Sequence, residues 1–252
     1  MNDKTPKQDL RTVYPDLAPK PGEAPPREHR APRSPRPMNI VPEIGKHGLA
    51  VGKNGSGKTT TVASLIVPAS QVYPVLVIDS KGDGSLEQLP GARVVTLPKD
   101  IEFDGLEIYK PEGLLNTSDY LDGVLQLAYE TKRSMYVYID EMYQVCSRPQ
   151  PSLGLSNLLM RGRHRSVNGR PVRMSTLMSS QRPSWIPRHC GTEATYFYVH
   201  DLALPDDRKR MAELTGMPSL AMQPGPNHEF WFYKTGMGEP ILCRINKRKE
   251  LT

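Results

Sequence analysis

The stretch Gly48-Leu-Ala-Val-Gly-Lys-Asn-Gly-Ser-Gly-Lys-Thr-Thr-Thr-Val62 leads an apolar run through a glycine-rich loop straight into a helix-like pattern. Its core, Gly52 to Thr59, satisfies G-x-x-x-x-G-K-[ST], in which backbone N–H groups wrap phosphate oxygens at a helix N-terminus. Average residue frequencies put a chance match in such a chain at roughly one per cent. Here the strand-before, helix-after context is met as well. Gly52, Lys53, Asn54, Gly55, Ser56, Gly57, Lys58, Thr59 and Thr60 are therefore assigned to a nucleotide-phosphate cradle. Gly55 and Gly57 are expected in conformations closed to other residues, which lets the backbone approach the anion. Lys58 is placed to reach the β- and γ-phosphates, and the Thr59 hydroxyl to ligate Mg²⁺.

After Met38, short apolar runs alternate with helix-like stretches, the signature of parallel strands joined by crossover helices. Core strands are predicted at 47–51, 74–79, 135–140, 174–180 and 194–199, with a sixth, peripheral one at 92–97. Helices are predicted at 58–66, 118–132, 153–165 and 206–214. The segment "HEFWFYKTGMGEPILCRI" reads as a β-hairpin turning at Thr235–Gly238. The fold class is α/β, a mainly parallel central sheet flanked by helices. Residues 1–37 are rich in Pro, Arg, Lys and Glu and nearly without large apolar side chains, so they are read as an extended arm. A solvated tail and a docking element both fit that composition. Residues 38–252 form the single globular domain that a hydrophobic fraction of 37% suits.

A net charge of +6 favours a polyanionic partner without identifying one. Cys146, Cys190 and Cys243 have neither zinc-site nor disulfide-framework spacing, which fits a reduced, cytosolic compartment. No run approaches the roughly 18 apolar residues of a membrane span.

A cradle needs acidic partners to become a hydrolase, and "SMYVYIDEMYQ" supplies Asp140 and Glu141 at the end of an apolar run. This resembles a Walker B strand, in which Asp140 holds Mg²⁺ through its water shell and Glu141 is the base that polarises the attacking water; an ordinary strand ending in two solvated acids is the alternative. "VIDSKGDG" places Asp79 and Lys81 at the carboxyl edge of the second strand, where open α/β sheets bind ligands. They are either supporting groups of the site or simple loop charges. Gln181, just past the fourth core strand, is positioned to sense the γ-phosphate or orient water.

Taken in order, "GKNGSGKTT", "VIDSK", "YIDE" and "MSSQRP", each preceded by a strand, resemble the FtsK and HerA superfamily of DNA-pumping ATPases over about residues 45 to 215. The resemblance implies a RecA-like sheet of order 5-1-4-3-2, ATP and Mg²⁺ as ligands, a usually hexameric ring, and double-stranded DNA threaded through it. It also implies an arginine finger from a neighbouring subunit. Arg163 and Arg165, ahead of Arg161, are the candidates in "LLMRGRHRSVNGR", where a planar guanidinium suits developing phosphoryl charge. A basic helix end, or a contact to DNA phosphates, explains the same residues.

Chromosome pumps add a membrane anchor or large N-terminal domain, and no such segment is evident in this chain. The pattern is closer to the minimal genome-packaging ATPases of tailless, membrane-containing icosahedral phages and viruses. That implies action in the host cytoplasm or in association with the virion, with a capsid or portal-vertex protein as a further partner. A plasmid or conjugative DNA-transfer ATPase, and a nucleotide-dependent interaction switch without processive transport, are the alternatives.

Overall fold

A computed structural model describes residues 39–146, 152–226 and 228–245 of the chain. The arm assigned to residues 1–37 lies outside the described residues. The strands in chain order are β1 His47–Val51, β2 Val75–Ile78, β3 Ala92–Val95, β4 Leu106–Tyr109, β5 Met135–Ile139, β6 Arg165–Val167, β7 Arg170–Val172, β8 Met174–Ser180, β9 Ala194–Val199, β10 Glu229–Lys234 and β11 Ile241–Arg244. The main helices are α1 Lys58–Ser70, α2 Ser118–Glu130, α3 Leu153–Ser156 with a following π-turn Asn157–Arg161, and α4 Pro205–Thr215.

One sheet has the order β11-β10-β9-β1-β8-β5-β2-β4-β3, and β6 and β7 pair separately. Neighbours from β9 to β3 run parallel, whereas β10 and β11 close the other edge antiparallel. The five core strands expected from the sequence stand as β9-β1-β8-β5-β2, the RecA-like order.

Apolar strands of this kind are buried on both faces. Alternation sorts their side chains: Leu49 and Val51, Leu76 and Ile78, and Met135, Val137 and Ile139 join one core cluster with Leu121, Val124 and Leu125 of α2. Ala50, Val75, Val77, Tyr136 and Tyr138 join the other, with Val62, Leu65 and Ile66 of α1. The result is a helix–sheet–helix sandwich whose middle layer fixes the ends of β1, β5 and β8.

Two local readings of the sequence are corrected. The predicted helix at 153–165 breaks down after Arg161, and Arg165 instead opens the β6–β7 hairpin. Asn168 and Gly169 make its turn, both at positive φ (51° and 74°), as a two-residue Asn-Gly hairpin requires. β4 was not expected, because its four residues include an acid. Glu107 is 1% exposed there and is satisfied by Arg93 and by the backbone N–H groups of Glu102 and Phe103.

His47 fastens the amino-terminal edge. Its Nδ1 accepts from the Thr176 N–H at 2.9 Å and its Nε2 donates to the Leu159 carbonyl at 3.0 Å, so both ring nitrogens are used in the neutral state. Burial first, and the nearby Arg163 second, lower its pKa to about 3.

Candidate active site

The carboxyl ends of the parallel strands share one edge, and the predicted motifs converge there. The cradle leaves β1 between its two neighbours: Gly52 N–H donates to the Ser180 carbonyl of β8 at 3.2 Å, and His200 N–H, just past β9, to the Val51 carbonyl at 2.8 Å. Gly55 and Gly57 have φ of 71° and 96°, left-handed conformations that glycine adopts without steric cost. Gly52 is required by crowding instead, since a β-carbon there would stand 2.5 Å from His200 Cβ and 2.6 Å from Ser56 Oγ.

Helix α1 begins on Gly57 with no side-chain cap and no acidic residue in its first turn. The N–H groups of that turn lack intrahelical acceptors and their dipole favours an anion. Lys58 is 7% exposed, and its ammonium donates to the carbonyls of Gly52 at 2.7 Å and Lys53 at 3.1 Å. Burial, then the charge of Lys81, lowers the Lys58 pKa to about 8 against the opposing pull of Asp140 and Glu141. A bound polyphosphate would restore the counter-charge.

Asp140 and Glu141 follow β5 directly and are 2% and 9% exposed. Tyr138, two residues earlier on the same face of the strand, donates its hydroxyl to Asp140 Oδ1 at 2.6 Å and fixes the carboxylate's rotamer. Burial first and Asp140 second raise the Tyr138 pKa well above the usual phenol value, so it stays a donor. The other oxygen, Oδ2, is buried without a hydrogen-bond partner. Lys81 answers both acids, with Nζ 3.4 Å from Asp140 Oδ2 and 3.2 Å from Glu141 Oε2. Its pKa is raised because the two carboxylates outweigh burial. The "VIDSK" lysine is thus a member of the acidic site, whereas Asp79 shapes its own loop by accepting from the N–H groups of Gly82 and Asp83. Gln181 is half-buried at the end of β8, one residue beyond the Ser180 that pairs with Val51.

Arg163 and Arg165 are not brought to this edge. Arg163 pairs with Glu193, ahead of β9, and with that residue's carbonyl. Arg165 caps the C-terminus of α2 by donating to the carbonyls of Tyr129, Glu130 and Thr131, and lies over the Tyr129 ring at 4.8 Å. Both occupy the amino-terminal edge, and Arg161 is exposed at the end of the π-turn.

Sequence reasoning missed Tyr138 and His200. Tyr138 carried a signal, since a tyrosine two residues before an acid shares its face of a strand. His200 is 1% exposed and its Nδ1 lies 3.0 Å from the Ser56 carbonyl, a contact that only the juxtaposition of β9 and the cradle creates. Burial first lowers its pKa to about 4 from an ordinary 6.5, so the folded ring is neutral and donates Nδ1–H to the loop. The unfolded chain takes up this proton near pH 6.5 and the folded chain only near pH 4, so stability falls as pH drops through that interval. We expect urea titrations to show a loss on the order of 1–3 kcal/mol from this residue, and a shallower pH slope in His200→Gln. Equal slopes would place the ring's proton elsewhere.

No family model matches the chain. It is 28% identical over 172 residues to the DNA packaging ATPase P9 of Enterobacteria phage PRD1, covering 67% of this chain and 70% of that protein. The genome packaging NTPase B204 of Sulfolobus turreted icosahedral virus 2, in its sulfate complex, superposes with a TM-score of 0.63 at 15% identity, over 82% of this chain and 98% of that one. Its complex with ATP-gammaS gives 0.61 at 14% identity, over 82% and 98%. The cytoplasmic domain of the Type VII secretion ATPase EccC of Thermomonospora curvata gives 0.54 at 17% identity, over 81% of this chain and 26% of that one. Among the described residues no helix is long and apolar enough to cross a membrane. The chain has a RecA-like α/β fold, and its sequence is similar to that of the DNA packaging ATPase P9 of phage PRD1.

Proposed function

We propose that the chain is an ATP hydrolase that drives double-stranded DNA into a viral capsid as part of a homo-oligomeric ring, acting in the infected host cell and during virion assembly. The observation that carries this reading is the uncapped, glycine-shaped cradle after β1 and a buried acid pair after β5, on the same edge of the sheet with only β8 between them, in a chain similar to the PRD1 packaging ATPase. In the proposed cycle, the N–H groups of the cradle and the first turn of α1 hold the phosphates, and Lys58 exchanges its two loop carbonyls for β- and γ-phosphate oxygens.

The donor set suits Mg²⁺: hard oxygens, among them the buried Asp140 Oδ2, answered in this structure by the Lys81 ammonium at 3.4 Å, and the Thr59 hydroxyl in the first turn. Thr59 and Asp140 would hold the ion, which when bound offsets charge on the phosphates. Tyr138 keeps Asp140 oriented. Glu141 accepts a proton from the water that attacks the γ-phosphorus, and Gln181 orients that water from the end of β8. Arg163 or Arg165 acts as the finger only across a subunit boundary, since each is bonded within its own chain at the far edge of the sheet.

Directional transport is tested by displacement of a triplex-forming strand from linear duplex DNA by assembled rings. Displacement with ATP and none with ATP-gammaS is expected. ATP hydrolysis without displacement would favour a nucleotide switch over a motor.

A further inference from the structure

Strand order gives the bound nucleotide a direction. Asp140, Glu141 and Gln181 follow β5 and β8, on one side of β1, so the terminal phosphate belongs over that side. Beyond β1 on the other side stand β9 and then β10. A ligand held by its phosphates along the cradle extends its nucleoside toward them.

The chain puts an unusual residue at that end. His228, immediately before β10, has a φ of 59°. A β-carbon disfavours this left-handed region, so surrounding structure must hold the residue there. The conformation lays its side chain against the cradle: a β-carbon on Gly57 would stand 3.1 Å from His228 Cβ and 3.3 Å from Nδ1. The residue is nevertheless exposed, so the core takes up little of the ring.

The floor beside it is built. His200, bonded to the Ser56 carbonyl, stacks on Phe230 with ring centroids 4.9 Å apart, and its Nε2 is buried with no hydrogen-bond partner. Lys53 is tied to Asp201 through an ion pair and through its N–H on the Asp201 carbonyl at 2.7 Å. β9, β10 and the cradle therefore form one fixed corner, with the His228 imidazole standing on it.

We propose, building on the P-loop assignment above, that His228 is the wall of the nucleoside subsite. Its exposed imidazole contacts the ribose and base of a nucleoside triphosphate whose phosphates occupy the cradle. The flat ring offers a stacking face to a base.

Two probes separate this subsite from the phosphate site in the full-length protein: ADP, and inorganic tripolyphosphate, which has no nucleoside. Their affinities are measured by calorimetry for wild type, His228→Gly and His228→Asn. Glycine and asparagine both accept a left-handed backbone, so the loop is retained while the ring is lost. Both variants are expected to bind ADP about tenfold more weakly, the size of one base–aromatic contact. Tripolyphosphate affinity is expected to stay within about twofold of wild type. Unchanged ADP affinity, or an equal loss for both probes, would overturn the proposal by removing any nucleoside-specific contact. Lys58→Ala guards the underlying reading, since it must weaken both probes. Indifference of both to Lys58→Ala would overturn the P-loop assignment itself, whatever the His228 variants do.

Discussion

Lys58→Ala protein is expected to bind nucleotide about tenfold to a hundredfold more weakly and to hydrolyse none of it above background, because a charge-assisted hydrogen bond to phosphate is worth roughly 1.5–3 kcal/mol. The residue is 7% exposed and its ammonium already sits inside the loop on two backbone carbonyls, so no solvent cation takes its place on the phosphates. The fold should survive, because burial lowers the Lys58 pKa and the buried charge contributes little to the unliganded state. Nucleotide titration and phosphate release measure the two effects separately. Turnover at the wild-type rate would contradict the assignment of the cradle.

Glu141→Gln should fail in a different way. The amide keeps the shape of the side chain beside Asp140 but cannot accept the water's proton, so a loss of about 10²–10⁴ in turnover is expected. ATP affinity should be retained or improved, since the substitution removes a negative charge close to where the proposed site would place the γ-phosphate. Lys81 would then answer Asp140 alone, having lost its 3.2 Å contact to the Glu141 carboxylate. Undiminished hydrolysis in this variant would make another residue the base.

Much of this candidate site is legible in the sequence alone. The cradle, Asp140, Glu141 and Gln181 sit at strand ends, and strand ends are where apolar runs stop, so a one-dimensional pattern locates them. Tyr138 was legible in principle from strand alternation. His200 and His228 were not, because their importance comes from β9 and β10 flanking the cradle, and long-range strand neighbours leave no local signal. The helix predicted at 153–165 runs past the π-turn that ends at Arg161 and takes in Arg163 and Arg165, which lie outside it. The Asn168-Gly169 turn was outweighed by the apolar pattern of Leu155, Leu158 and Leu159, which are buried in α3 and the π-turn just before it. The arginines that looked like finger candidates are bonded to Glu193 and to the carbonyl end of α2, contacts created by tertiary packing. β4 escaped notice because its buried Glu107 is tolerable only with Arg93 and two backbone donors around it.

The central claim, a motor that couples hydrolysis to duplex DNA, is tested most directly by the ATPase rate of assembled rings against duplex DNA concentration at two salt levels. A motor gripping the phosphate backbone should hydrolyse faster as DNA is added. The half-saturating concentration should rise steeply at the higher salt, because each neutralised phosphate releases condensed counterions. The maximal rate should be nearly the same at both. A flat response at both salt levels, with nucleotide binding intact, would contradict the account.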